Sequence, residues 1–292
     1  MIKIKRLKRK LGRTINIMKK DFRTYVGGLI ILIIIGTAIL APLIVPNDPF
    51  KTNITRRMEG PSKDFWAGTD SLGRDLFSRL LYASRVAMYV AFGGVFISLV
   101  FGLILGSLAA YIGGIVDNII LLVFDIIRAF PSIILILVLV SVMGPSIPKV
   151  ILILGITIMP RYGRVVRAEA LSVKEEDYVE SARSLGAKTF RILFSHIFPN
   201  IFPSVLVLGG MDMASMIMWE AGLSFLGFGV QPPATSWGLM LRQGYKYIQI
   251  APTMIVWPAI AISLTMFGFS IFSEILRIAL NPKSSLEVEA GE

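Results

Sequence analysis

The sequence predicts an all-α, polytopic membrane protein with six transmembrane helices. Three observations lead there. Hydrophobic residues make up 54% of the 292 positions and the mean hydropathy is +0.71, well beyond what a soluble domain uses to fill a core. The apolar residues gather into six runs, each near the ~20 residues that a spanning helix requires. The net charge of +11 is concentrated between these runs, which directs it to lipid headgroups and aqueous loops and away from nucleic acid. With no cysteine and one histidine, His196, the chain offers no disulfide framework, thiolate site, cysteine nucleophile or histidine cluster for zinc.

In chain order, residues 1–24 hold ten Lys or Arg and one acid, Asp21. VGGLIILIIIGTAILAPLIV follows, residues 26–45. It exceeds the ~7–15 apolar residues of a cleavable signal and ends without a small-x-small site, so it reads as an uncleaved anchor. The other runs lie at 86–111, 119–143, 147–164, 200–219 and 253–279. An even number of crossings puts both termini on one side. Termini inside place nineteen of the thirty Lys and Arg in the cytoplasm and ten outside, with Arg128 within a span, as the positive-inside rule requires. The expected organisation is a cytoplasmic basic tail (1–25), a first span with an outer loop (26–85), a five-helix core (86–280) holding an inner loop at about 165–199, and a cytoplasmic tail (281–292). No internal repeat supports an inverted-repeat carrier.

The inner loop is unusually polar. Ser172 and Glu175 have capping-box spacing, which predicts a helix from about Val173 that Gly186 stops. Tyr178, Ala182 and Leu185 form its apolar stripe. AKTFRILFSHIF predicts a second helical segment, ended or kinked by Pro199 and Pro203. An amphipathic hairpin on the headgroups is one reading, but five acids near only Lys174 and Arg183 suit a protein cleft better than an anionic surface. The run Glu180-Ser181-Ala182, three residues, Gly186, nine residues, then His196-Ile-Phe-Pro199 resembles the EAA loop of permease subunits of ATP-binding-cassette importers. Ser181 replaces the middle alanine of that pattern, and His196 stands where it has isoleucine. The resemblance implies a type I importer permease fold, a partner permease, two ATPase subunits that dock on this loop through Tyr178, Glu180, Ser181, Ala182, Arg183, Gly186 and Pro199, and an external solute-binding protein. It implies no catalytic residue, cofactor or metal in this chain.

Two outer segments narrow the resemblance. In FWAGTDSLGRDLFSRLLYASR, residues 65–85, Asp70 or Ser71 can cap an interfacial helix with Leu76, Phe77, Leu80 and Leu81 as its apolar stripe and Arg74, Asp75 and Arg79 elsewhere. Its Gly68-Thr69-Asp70 and Gly73-Arg74-Asp75 resemble a signature of the dipeptide, oligopeptide and nickel branch. EAGLSFLGFGVQPPATSWGLML, residues 220–241, resembles the outer segment of the same branch, where Trp237 would suit a contact with the binding protein. Pro232-Pro233 and the glycines forbid a continuous helix there.

Within the spans, Gly102 and Gly106 permit close helix approach. Asp125 and Arg128 stand three apart, close enough to pair, before a kink at Pro131. Asp212, Glu220 and Glu274 are further acids at or near membrane depth, open to helix pairing or to solute contact. A carrier driven by ions or protons, with Asp125, Asp212 and Glu274 along its path, is the rival to an ATP-driven importer. No G-x-x-x-x-G-K-[ST] is present, so ATP hydrolysis is expected on other subunits.

Overall fold

The structure, a computed structural model, describes residues 22–280. Most of the basic tail and the whole tail from residue 281 lie outside the described residues. The regular elements within them are helical, as expected, with one isolated bridge between Thr69 and Asp75.

Helix α1 (Phe22–Ile44) is apolar on every side and buries only Gly27, Ala38 and Ala41. It packs on α10 (Thr253–Leu280) through two notches. A Cβ on Gly27 would stand 2.9 Å from Ile271, and one on Gly268 2.7 Å from Ile30. Helix α2 (Leu76–Ile112) begins at Asp75, whose carboxylate accepts from the amides of Phe77 and Ser78. The expected interfacial helix is therefore the first turns of this one long helix, and neither Asp70 nor Ser71 is its cap.

The run at 119–143 is two helices, α3 (Gly114–Ala129) and α4 (Ser132–Met143), meeting at 90°. Pro131 has no N–H and pushes Phe130 out of the helical region, to φ −94° and ψ 142°, which turns the expected kink into a break. Helix α5 (Ile147–Lys174) continues ten residues past the run that predicts it. Helix α6 (Asp177–Ser184) follows. Then α7 (Thr189–Ile192) passes through a π turn at Leu193–Ile197 into α8 (Phe198–Leu226), one continuous rod. Pro199 and Pro203 thus do not end the helix. The amide of Phe198 reaches back to Leu193, and the wide turn accommodates the donor that Pro199 lacks. Helix α9 (Trp237–Tyr245), capped by Ser236, precedes α10.

Among the described residues, four helices are long and apolar enough to cross a membrane, or five if α3 and α4 form one broken span. Helix α5 falls outside that count by composition, because Lys149, Arg161 and Arg164 interrupt its apolar stretch. The two closest helices are α2 and α5. A Cβ on Gly102 would lie 2.4 Å from Tyr162, and one on Gly106 2.4 Å from the carbonyl of Gly163, so the glycine pair does what its spacing predicts. Ser98 adds a bond from its hydroxyl to the Gly155 carbonyl at 2.8 Å. The segment 45–75 with α9 closes one end of the bundle, the cap end. At the other end, α6 forms a hairpin between α5 and α8.

Candidate functional site

The hairpin is anchored at its base and at one side chain. Lys174 donates to the carbonyls of Ala110 and Tyr111, at 3.1 and 3.2 Å, and so neutralises the negative end of α2. Ser172 and Glu175 still belong to the end of α5, where the Glu175 amide donates to the Ser172 carbonyl, so the expected capping box does not form. In α6 the fully buried residue is Val179. It joins Tyr162, Val166 and Ala170 of α5 and Ile197 and Ile201 beyond it in a second core. The expected stripe of Tyr178, Ala182 and Leu185 is corrected accordingly. Val179 points inward beside a half-buried Ala182, whereas Leu185 is 89% exposed, because a later start rotates the two-turn helix about its axis.

Tyr178 lies at the edge. Its hydroxyl accepts from Asn200 at 3.0 Å, and its ring is 5.8 Å from that of His196. Burial and the nearby Glu176 push its phenol above the ordinary tyrosine range. Glu180, Ser181 and Arg183 are exposed. Gly186 ends α6 at φ +80°, with its amide on Arg183 and that of Ala187 on Ala182, a left-handed stop that favours glycine. Beyond it Phe190 and Phe194, rings 4.2 Å apart, are also exposed. The hairpin therefore presents Leu185, Phe190 and Phe194 inside a rim of charge, the composition of a protein contact.

A second constellation runs along α5. Arg161, Arg164 and Arg167, three residues apart, each meet an acid of another helix: Asp212 of α8, Asp125 of α3 and Asp117 of α3. The last pair is a fork, with Nε and Nη2 each 2.5 Å from a different carboxylate oxygen. Between the rungs, Phe124 lies against Gly163, where a Cβ would stand 2.3 Å from the ring. The expected Asp125–Arg128 pair does not form. Asp125 turns to Arg164, and Arg128 is exposed. Sequence reasoning counted the three arginines as loop charges. Their three-residue spacing within an otherwise apolar helix was the available signal. Glu274 binds Arg277, one turn away and exposed. Glu220 is buried and accepts from Ser224 at 2.6 Å, and that hydroxyl accepts in turn from the amide of Val230.

At the cap end the signature residues close a loop. Backbone bonds from Asn53 to Leu72, Met58 to Asp70 and Thr69 to Glu59 fold 50–75 back on itself. Gly73 stands so close to the carbonyl of Asn53 that a Cβ would lie 1.7 Å away, and its φ is +72°; Gly68, at φ +83°, meets Glu59 in the same way. Asp70 accepts from the amides of Leu72 and Arg74 and from Arg74 Nε at 2.6 Å, with Arg79 Nε 3.6 Å away. Arg74 and Arg79 both reach Gln243 on α9, at 3.4 and 3.2 Å. Arg74, Asp75 and Arg79, expected off the apolar stripe, are thus buried at the joint of cap and bundle, more deeply than Phe77, Leu80 and Leu81. Trp237 is likewise buried and donates to the carbonyl of Leu80 at 3.0 Å, so it is no external contact; the exposed indole here is that of Trp66. On the outer side of the cap, Arg56 holds the Glu59 carboxyl below the ordinary carboxylate range.

Residues 84–285 match the family model of the binding-protein-dependent transport system inner membrane component. The chain belongs to that family. The permease is 39% identical over 266 residues to the dipeptide transport system permease protein DppC of Alkalihalophilus pseudofirmus, covering 91% of this chain and 88% of that one. It is 39% identical to the glutathione transport system permease protein GsiD of Pectobacterium atrosepticum, with 88% and 86% covered. To the oligopeptide transport system permease protein OppC of Bacillus subtilis the identity is 38%, with 88% and 85% covered. Among solved structures, an amino acid ABC transporter with histidines matches at a TM-score of 0.51 and 20% identity, over 70% of this chain and 94% of that one. An inward-facing form of the MetNI methionine ABC transporter gives 0.51 and 21%, over 70% and 98%. The permease is therefore a multi-pass membrane transport subunit with an ABC importer permease fold. The family match takes in the hairpin and all three arginine pairs, while Asp70, Arg74 and Arg79 precede it.

Proposed function

We propose that this permease forms half of a path through the cell membrane, completed by a second permease, with two ATP-hydrolysing subunits seated on the α6 hairpin and a solute-binding protein at the cap end. Both termini lie in the cytoplasm in this reading. With Arg161, Arg164 and Arg167 set aside as paired residues of α5, sixteen basic residues against ten support that side. The core at 86–280 carries the path, and 26–85 supplies the first span and the cap. The solute is a peptide or peptide-like molecule, in keeping with relatives named for dipeptide, oligopeptide and glutathione transport; nickel complexes and oligosaccharides are the other classes within the resembling branch.

The observation that carries the proposal is the hairpin itself. Its exposed side is apolar at Leu185, Phe190 and Phe194, while Val179 ties its inner side to the core of α5 and α8. A push on the hairpin is thereby passed to two long helices, which rock between two packings as ATP is bound and split elsewhere. The rival reading, a carrier driven by protons, needs a titratable carboxylate free to load. Asp125, Asp212 and Glu274 are each bound to an arginine, which favours the ATP-driven reading.

Leu185→Glu tests it. Leu185 is almost fully exposed, so the variant enters the membrane at normal yield. Co-purification of the ATPase subunits falls by about tenfold or more, equivalent to roughly 1.4 kcal/mol of lost docking, and ATP-driven uptake falls with it. Undiminished co-purification and uptake would refute docking at this hairpin.

A further inference from the structure

One rung of the arginine ladder stands half open at the middle of the bundle. Helices α5 and α8 have 28 and 29 residues, about 42 and 43 Å of rod at 1.5 Å per residue. Arg161 and Asp212 each lie about 21 Å from the first residue of their helix. Both residues fall inside the apolar runs that predict their spans, 147–164 and 200–219, so their ion pair lies within the ~30 Å that a bilayer interior spans. Asp212 is buried at 3% exposure, but the Arg161 side chain is 48% exposed. A guanidinium that open at that depth is not accommodated by acyl chains, so water or protein must face it.

The neighbours decide between those two. Arg164 and Asp125 have side chains 40% and 64% exposed, and Arg128, one turn from Asp125, is exposed as well. The centre of a protein interface is depleted of charge, whereas a stripe of open charged groups suits a hydrated wall. Donor accounting adds the second point. A guanidinium carries five N–H donors. Arg167 commits two nitrogens to both oxygens of Asp117, but Arg161 reaches Asp212 through Nη1 alone. Arg167 is a lock; Arg161 is anchored on one side with donors left for another anion.

We propose that the flank of α5 and α8 around Arg161 and Asp212 is part of the wall of the translocation path, and that Arg161 offers its remaining donors to the carboxylate of the passing solute. The solute's chemistry rests on the peptide reading above; the position of the wall does not.

The chain contains no cysteine, so Arg161→Cys gives it a single thiol whose labelling is read on this subunit. In the assembled complex in lipid vesicles, a water-soluble sulfonate thiol reagent is expected to modify it, with a rate that changes at least about fivefold between nucleotide-free and vanadate-trapped states. Modification only by a lipid-soluble maleimide would place this flank against lipid, and modification by neither would place it under the second permease; either result overturns the proposal. If the single variant does not assemble, Arg161→Cys with Asp212→Asn presents the same thiol without a stranded buried carboxylate.

The carboxylate contact has its own readout, uptake of radiolabelled alanyl-alanine. Arg161→Gln with Asp212→Asn is expected to lower uptake at saturating dipeptide at least about tenfold while basal ATPase activity and co-purification of the subunits hold. Unchanged uptake would assign the pair to structure alone. Should the unmodified complex carry no dipeptide, the peptide reading fails and thiol labelling still decides the wall.

Discussion

Removing the Asp70 carboxylate is expected to loosen the cap from the bundle. The side chains of Asp70, Arg74 and Arg79 are 2%, 7% and 1% exposed, so water replaces little of what is lost. Asp70→Ala takes the counter-charge from two buried guanidiniums and the acceptor from the amides of Leu72 and Arg74. Breaking a buried pair by deleting one partner costs about 3–5 kcal/mol. At about 2–4 °C per kcal/mol for a chain of this size, the melting point falls by roughly 6–20 °C. The assay is a thermal melt of the purified permease in detergent, followed by tryptophan fluorescence, with protease cleavage within 46–75 as a local probe. Asp70→Asn keeps an acceptor for the two amides without the charge and falls between wild type and alanine. If Asp70→Ala melts within ~1 kcal/mol of wild type, and Asp70→Asn is no better than alanine, the network does not hold the cap.

Three further outcomes are expected. Gly163→Ala drives a methyl into the Phe124 ring, 2.3 Å from the new Cβ, and costs about 1–3 kcal/mol by overpacking, read in the same melt. At Gly186 there is space, with nothing within 4 Å of an added Cβ, but φ is +80°. Gly186→Ala there costs about 1–2 kcal/mol of hairpin geometry, seen as a roughly tenfold drop in ATPase co-purification, with Gly186→Asn milder because asparagine tolerates the left-handed region. The carboxyl of Glu59 is held low by Arg56, so its contribution to the cap is present above the ordinary glutamate pKa of about 4.3 and is lost as pH falls through the lower folded value. Hydrogen exchange at the Met58 and Thr69 amides, corrected for intrinsic rates, should rise across that acid window and stay flat above it.

Much of the fold was legible because membrane helices announce themselves. The apolar runs are helical, the one at 119–143 broken in two at Pro131, and Gly186, Gly102 and Gly106 act as their positions foretell. The errors share a cause. At 65–85 and in α6 the apolar residues that define the stripe are not the ones that the fold encloses most deeply. Beside a membrane, apolar side chains can face outward freely, and the residues that must be enclosed are the charged ones that find partners. Arg79 is fully buried for that reason. The pairing of Asp125 was misread for a related reason. Its partner one turn away was visible in the sequence, but Arg164 comes from a helix about forty positions later, and only tertiary packing brings it near. The break at Pro131 shows the same limit. Proline forecasts a bend, and its angle is set by what the two halves then touch.

Beyond its first turn helix α5 contains one proline, Pro160, next to Arg161 and midway along its length. The N–H that Pro160 lacks removes one rung of the helix's own ladder at that level, which makes the middle of the rod its softest point. A rod that tilts about its centre sweeps its ends widest: 10° of rotation on arms of about 21 Å moves each end by nearly 4 Å and the centre hardly at all. The ion pair at Arg161 therefore sits at the fulcrum, where it can persist through a swing that carries the hairpin at one end and the turn at Ile147 at the other in opposite directions.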